Sequence, residues 1–192
     1  MSKKVKIVAL AGATRTDSLN KKLIRVAAAA ATAAGAEVTL VDLRDYPMPF
    51  YDGDLESASG LPDNAKKLKQ LFIDSDGILI ASPEYNSSYS AVLKNAIDWM
   101  SRSSAKDEAS AFNGKYAAIL SASPGALGGL RGLFALRELL QNLNITVLPA
   151  MQAVGSAMTA FDDKGALTDE KTAAGVNRVA QQLVATLEKI HA

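Results

Sequence analysis

Gly77-Ile78-Leu79-Ile80-Ala81-Ser82-Pro83-Glu84-Tyr85-Asn86-Ser87-Ser88-Tyr89-Ser90 is the stretch whose reading decides the fold. Its first five residues are an apolar run too short for a helix, which reads as a strand buried on both faces. The remaining residues are polar and aromatic, and residues 91–102 then repeat apolar side chains at helical spacing. Open α/β sheets hold ligands in loops that leave the carboxyl ends of such strands. Pro83 fixes its own φ and restricts Ser82. A polar, aromatic loop so placed is suited to something flat and polar.

Outward from this unit, strand and helix patterns alternate. Residues 5–11 are a short apolar run bounded by a glycine turn. Ser18 is placed to cap an alanine-rich helix over residues 19–34, and Gly35 to stop it. Small side chains there let the helix approach a sheet closely. Residues 37–43 are a second strand. Residues 44–61 read as a long loop with Pro47, Pro49, Gly53 and Gly60, and with Tyr46, Phe50 and Tyr51 exposed; loops of this length are often functional. Pro62 opens a helix running to about residue 75. Beyond the opening unit, residues 115–122 are a fourth strand, 130–142 a helix, 145–148 a fifth strand and 149–167 irregular. Thr168 caps a last helix reaching about residue 190. Five strands alternating with five helices imply a three-layer, doubly wound α/β fold with a parallel five-stranded sheet. The two orders to weigh are flavodoxin-like 2-1-3-4-5 and a truncated dinucleotide-binding order. The 2-1-3-4-5 order is expected, with the 192 residues forming one domain.

Composition narrows the chemistry. The chain has no cysteine, and its one histidine is His191. Disulfides, thiolate nucleophiles and cysteine-ligated metals are excluded, and serine–histidine hydrolysis and histidine-ligated zinc are disfavoured. A bound cofactor is therefore the expected carrier of any redox reaction. The net charge of +1 argues against a nucleic-acid binder and, less strongly, against an acidic electron carrier that docks by charge. The first residues lack a signal-peptide pattern and no apolar run reaches the roughly 20 residues of a membrane span, so the expectation is a cytoplasmic protein away from membranes.

In the 2-1-3-4-5 order three loops converge on one crevice. The first, residues 12–20, offers Gly12, hydroxyls, Arg15 and a helix start at Ser18, the parts of an anion site. It is neither a P-loop nor a GxGxxG fingerprint. The second loop offers Pro83 and Tyr85 as apolar surface and Asn86 as a hydrogen-bonding group. The third, residues 121–129, is rich in glycine, which allows close backbone approach to a ligand. Other features read as structural: Lys66, Lys67 and Lys69 as a solvated helix face, residues 162–165 as a turn, Trp99 and Met100 as packing in a core or an interface, and His191 as a tail residue.

Ser82-Pro83-Glu84-Tyr85-Asn86, followed by Ser88 and by Leu93-Lys94-Asn95-Ala96-Ile97-Asp98-Trp99, resembles the signature of the NADPH-dependent FMN reductase family, flavodoxin-like flavoproteins that include quinone, chromate and azo-dye reductases. Gly12, Arg15, Ser18 and Asn20 resemble that family's phosphate motif. Ala13 stands where the family has serine, and Ser87 where glycine is frequent. The resemblance implies FMN, with NADPH or NADH as co-substrate and a small-molecule electron acceptor. It implies that Arg15, Ser18 and Asn20 hold the phosphate. Pro83, Glu84, Tyr85 and Asn86 would line the isoalloxazine ring, and Ser123 with Gly125 would border its other edge. It further implies a homodimer or homotetramer, with the Trp99 helix as an interface, and ping-pong kinetics. An electron carrier or a non-catalytic FMN-binding module on the same fold are the alternatives.

Overall fold

A computed structural model describes residues 4–103 and 109–191. Five parallel strands, β1 (Lys6–Ala11), β2 (Glu37–Val41), β3 (Gly77–Ala81), β4 (Tyr116–Ala122) and β5 (Thr146–Val154), form one sheet of order β2-β1-β3-β4-β5. The expected order is the observed one. Helices α1 (Leu19–Ala33) and α6 (Glu170–His191) cover one face; α3 (Asp63–Ile73), α4 (Ala91–Met100) and α5 (Leu130–Asn142) cover the other.

Strand alternation builds two cores. Ile7, Ala9, Leu79, Ala81, Ala118 and Leu120 point to α1 and α6. Val8, Leu10, Ile78, Ile80, Ala117 and Ile119 point to α3, α4 and α5. The first face is rich in alanine on both sheet and helix, and Ala27 and Ala31 of α1 are fully buried against it. Ser18 Oγ accepts from Lys21 N, as the sequence indicated, and Gly35 follows α1 with φ +104°.

Five sequence readings change. Residues 44–61 are not an open loop. They hold a 3-10 turn (Leu43–Asp45) and a short helix α2 (Gly53–Ser59), capped by Asp52 and ended by Gly60. The segment is strapped onto α4. Asn95 donates to Pro49 O and accepts from Tyr51 N, and Trp99 Nε1 donates to Pro49 O. Arg102 and the Tyr51 hydroxyl both bond Glu56 and hold its carboxyl below the usual range. Asn95 and Trp99 are thus scaffold residues. Trp99 is buried within its own chain against Tyr51 and presents no surface to a partner.

The fifth strand extends past residue 148, through Pro149, to Val154. Pro149 is tolerated because β5 is an edge strand and its register against β4 shifts between Ala117 and Ile119. Arg137 donates to the Val147, Leu148 and Pro149 carbonyls at this irregularity. Lys69 is buried rather than solvated, with its ammonium on Arg102 O. Asp169, not Thr168, caps α6 through Thr172 N. Residues 162–165 form the expected turn, with Asp162 Oδ1 accepting from Lys164 N and Ala166 N.

Candidate flavin site

The loops after β1, β3 and β4 meet at the carboxyl edge of the sheet, where the chain order reverses between β1 and β3. In the first loop, Arg15 is exposed and Ser18 is buried at the start of α1. The backbone N–H groups of residues 13–17 find no acceptor among the described residues. Ala13 therefore keeps an open N–H where the family's hydroxyl is missing. Open N–H groups leading into a helix N-terminus, beside Arg15, fit a phosphomonoester. Arg44 reaches the same loop through Thr16 Oγ1. It also bonds Asp42, as does Lys21, at 2.9 and 2.8 Å. Burial would raise the Asp42 carboxyl, but the bonds from Arg44 and Lys21 outweigh it and hold the group far below the usual range.

The second loop is a tight hairpin. Tyr85 N bonds Ser88 O at 2.9 Å and Ser88 N bonds Tyr85 O at 3.1 Å. Asn86 and Ser87 between them have φ of +51° and +65°. Positive φ at both central residues is the I′ geometry, which suits asparagine first and glycine second. Ser87 occupies the second place and carries the strain that glycine would avoid. Tyr85 is 61% exposed at the mouth of the crevice. Pro83 is buried beneath the loop, so Tyr85, Asn86 and Ser87 are the side chains the loop presents.

The third loop is fixed rather than flexible. Ser123 N donates to Val154 O, Ala157 N to Ser123 O, and Ser156 N to Gly125 O. A cleft of about 480 Å3 lies between the second and third loops, lined by Glu84, Asn86, Ser87, Ser123, Gly125 and Arg131 among others. A smaller pocket of about 230 Å3 flanks Thr14, between Arg44, Tyr46 and Val92. Ser121 Oγ is fully buried at the end of β4 without a hydrogen-bond partner.

Two expected ligand residues have their side-chain polar groups hydrogen-bonded within the protein. Asn20 is 2% exposed; its amide donates to Ala122 O at 2.8 Å and its carbonyl accepts from Ala122 N at 2.9 Å. It fastens the first loop to the third instead of reaching into the crevice. Glu84 Oε1 accepts from Arg131 Nε at 2.8 Å and Oε2 from Gly132 N at 3.0 Å. Glu84 lines the cleft, but both its carboxylate oxygens are taken up by α5, where a cation and a helix N–H lie. Gly12 has a packing reason too. A Cβ there would lie 3.0 Å from Leu93 Cβ, and Gly12 O accepts from Ser90 Oγ at 2.6 Å. Ser90 thus joins the second loop to the first, Asn20 the first to the third, and Glu84 the second to α5. Sequence reading missed Arg131 and Gly132. The available signal was a glycine inside a helix-period segment, which marks a close approach.

The model of the NADPH-dependent FMN reductase family matches residues 5–159. The chain belongs to this family. An NAD(P)H-dependent FMN reductase of Pseudomonas aeruginosa is 36% identical over 172 residues, 89% of each chain. A quinone reductase of Escherichia coli is 34% identical over 158 residues, 82% of this chain and 81% of that one. Among solved structures, the flavoenzyme NAD(P)H:(acceptor) oxidoreductase FerB of Paracoccus denitrificans superposes with a TM-score of 0.82 at 31% identity, covering 96% of this chain and 98% of FerB. FMN reductase membership makes the chain an oxidoreductase with FMN as cofactor and NAD(P)H as co-substrate. Among the described residues no helix is long and apolar enough to cross a membrane, and no group of three or more His, Cys, Asp or Glu is placed for a metal ion.

Proposed function

We propose that this chain is a cytoplasmic NAD(P)H oxidoreductase, a single FMN-binding domain that reduces quinones and, through the same open crevice, azo compounds and chromate. The observation that carries this reading is the row of unpaired N–H groups at residues 13–17, at the same sheet edge as a cleft lined by Asn86, Ser123 and Gly125 and the exposed Tyr85 of the second loop. Those N–H groups, Arg15 and Ser18 would hold the phosphate. Tyr85, Asn86 and the backbone at Pro83 and Glu84 would face the ring, with Ser123 and Gly125 along its far edge. Bound there, FMN would supply the two-electron chemistry that links hydride donation by the nicotinamide to reduction of an acceptor. The protein orients ring and coenzyme and offers N–H donors where negative charge develops. With donor and acceptor using one crevice in turn, the kinetics are ping-pong.

The chain acts as a homodimer or homotetramer, in keeping with Phe50 at 81% and Phe134 at 57% exposure, and light scattering measures this. The test of activity is initial-rate kinetics of the FMN-loaded protein with NAD(P)H and a benzoquinone. Parallel double-reciprocal lines support the proposal; intersecting lines refute the alternation. Flavin uptake with no NAD(P)H oxidation, with or without quinone, would make the protein an electron carrier instead.

A further inference from the structure

Helix α5 begins without a cap of its own. Its N-cap residue is Gly129, which has no side chain to offer. Neither preceding position tolerates one. At Gly128, φ +62°, a Cβ would lie 2.6 Å from Gly155 N; at Gly129, φ +89°, it would lie 1.9 Å from Ser121 Oγ. Leu130 N bonds Leu127 O, but the glycines that seat the third loop leave the Arg131 and Gly132 N–H groups without a local side-chain cap at the start of this 13-residue helix. Glu84 fills the gap from another loop. Its carboxylate accepts from Gly132 N and is fixed by Arg131, while its side chain is 8% exposed. Negative charge at a helix N-terminus is favourable. Gly132 completes the fit. A glycine inside a helix is destabilising relative to alanine, yet a Cβ there would stand 3.1 Å from Glu84 Cβ and 3.3 Å from Ser88 O. The bare turn is a seat for the second loop.

We propose that Glu84 is a positioning residue that locks the second loop to α5 and so sets the width of the cleft between the second and third loops. Its carboxylate acts through Gly132 and Arg131 and not through contact with the ring. This rests on the FMN reading above. A loosened lock lets Tyr85 and Asn86 drift from Ser123 and Gly125, which weakens FMN binding and slows hydride transfer without altering how NAD(P)H itself is recognised.

Glu84→Ala, Glu84→Gln and Gly132→Ala test it, by FMN titration, melting of the apo-protein and stopped-flow reduction by NAD(P)H. Glu84→Ala should weaken FMN binding about ten-fold or more and lower the limiting reduction rate, with half-saturation by NAD(P)H little changed. Glu84→Gln, whose carbonyl still accepts from Gly132 N, should recover most of both. Gly132→Ala removes no functional group and gains helix propensity that offsets part of the strain, so its apo-protein should melt no lower than that of Glu84→Ala while its FMN affinity falls like that of Glu84→Ala. The proposal is overturned if Gly132→Ala and Glu84→Ala bind FMN as wild type does. It is equally overturned if Glu84→Gln binds FMN normally but is reduced as slowly as Glu84→Ala, since the carboxylate would then act on the ring directly. If the wild-type chain takes up no FMN, the functional reading fails separately. The lock is then judged on apo-protein melting, where Glu84→Ala must fall below Glu84→Gln and equal melting refutes it.

Discussion

Asn20→Ala separates a scaffold residue from a ligand. In the structure Asn20 makes two buried bonds to the backbone of Ala122, 102 positions away. Removing the amide leaves the Ala122 N–H and C=O without their partner. Each buried unsatisfied group costs about 1–3 kcal/mol, so the sum is about 2–6 kcal/mol, and water entering the vacated space keeps the expected loss near 4 kcal/mol. Typical domains unfold at about 5–15 kcal/mol, so such a loss is large. The assay is urea unfolding of the apo-protein at pH 7. Asn20→Asp is the control: it can still accept from Ala122 N, but its carboxylate faces the Ala122 carbonyl, so it should lose a comparable amount. A residue serving only the phosphate would leave the apo-protein unchanged and show its loss solely in FMN affinity. An apo-protein destabilisation below about 1 kcal/mol for Asn20→Ala would refute the reasoning.

Three further outcomes follow from local geometry. Ser87→Gly should stabilise the apo-protein by about 0.5–1 kcal/mol by relieving φ +65°, and no gain in urea unfolding would contradict the strained hairpin. Ser121→Ala should be neutral or stabilising by up to about 1 kcal/mol, since the hydroxyl is buried without a partner; a clear destabilisation would show a bond that the apo-protein makes. Asp42 has a folded pKa below its unfolded value of about 3.9, so its contribution is whole above that value and is lost as pH falls through the folded one. Asp42→Asn should flatten stability between about pH 4 and 2 and cost about 2 kcal/mol at pH 7. That cost is less than for a fully buried pair, because the Asp42 side chain is 23% exposed while Lys21 is 6% exposed. An unchanged acid profile would count against this pair.

What the sequence made legible were features carried by short-range chemistry. Apolar runs of strand length, Ser18 as a cap and Gly35 as a stop placed the elements and the sheet order, and the α5 limits of 130 and 142 are those observed. Proline and glycine misled at two places. Pro47, Pro49, Gly53 and Gly60 hid α2, which is held by distant bonds from Asn95, Trp99 and Arg102 to the strap. Pro149 hid the extension of β5, which an edge strand with irregular register permits. In the site, the loops were legible but the work of Asn20 and Glu84 was not. Their partners lie 102 and 48 residues away, and no local pattern records such a bond. The same side chain can face a ligand or a neighbouring loop, and only the folded arrangement distinguishes the two.

The central claim is that the N–H groups of residues 13–17, with Arg15, form a phosphate seat that delivers a flavin ring to Tyr85 and Asn86. Paired titrations of the apo-protein with FMN and with riboflavin, which share the ring and differ by the phosphate, test it most directly. Two charge-assisted bonds of about 1.5–3 kcal/mol each predict FMN binding at least about 100-fold tighter than riboflavin, and Arg15→Ala should narrow that ratio. Equal affinity for the two flavins, or a ratio unchanged in Arg15→Ala, would contradict the account.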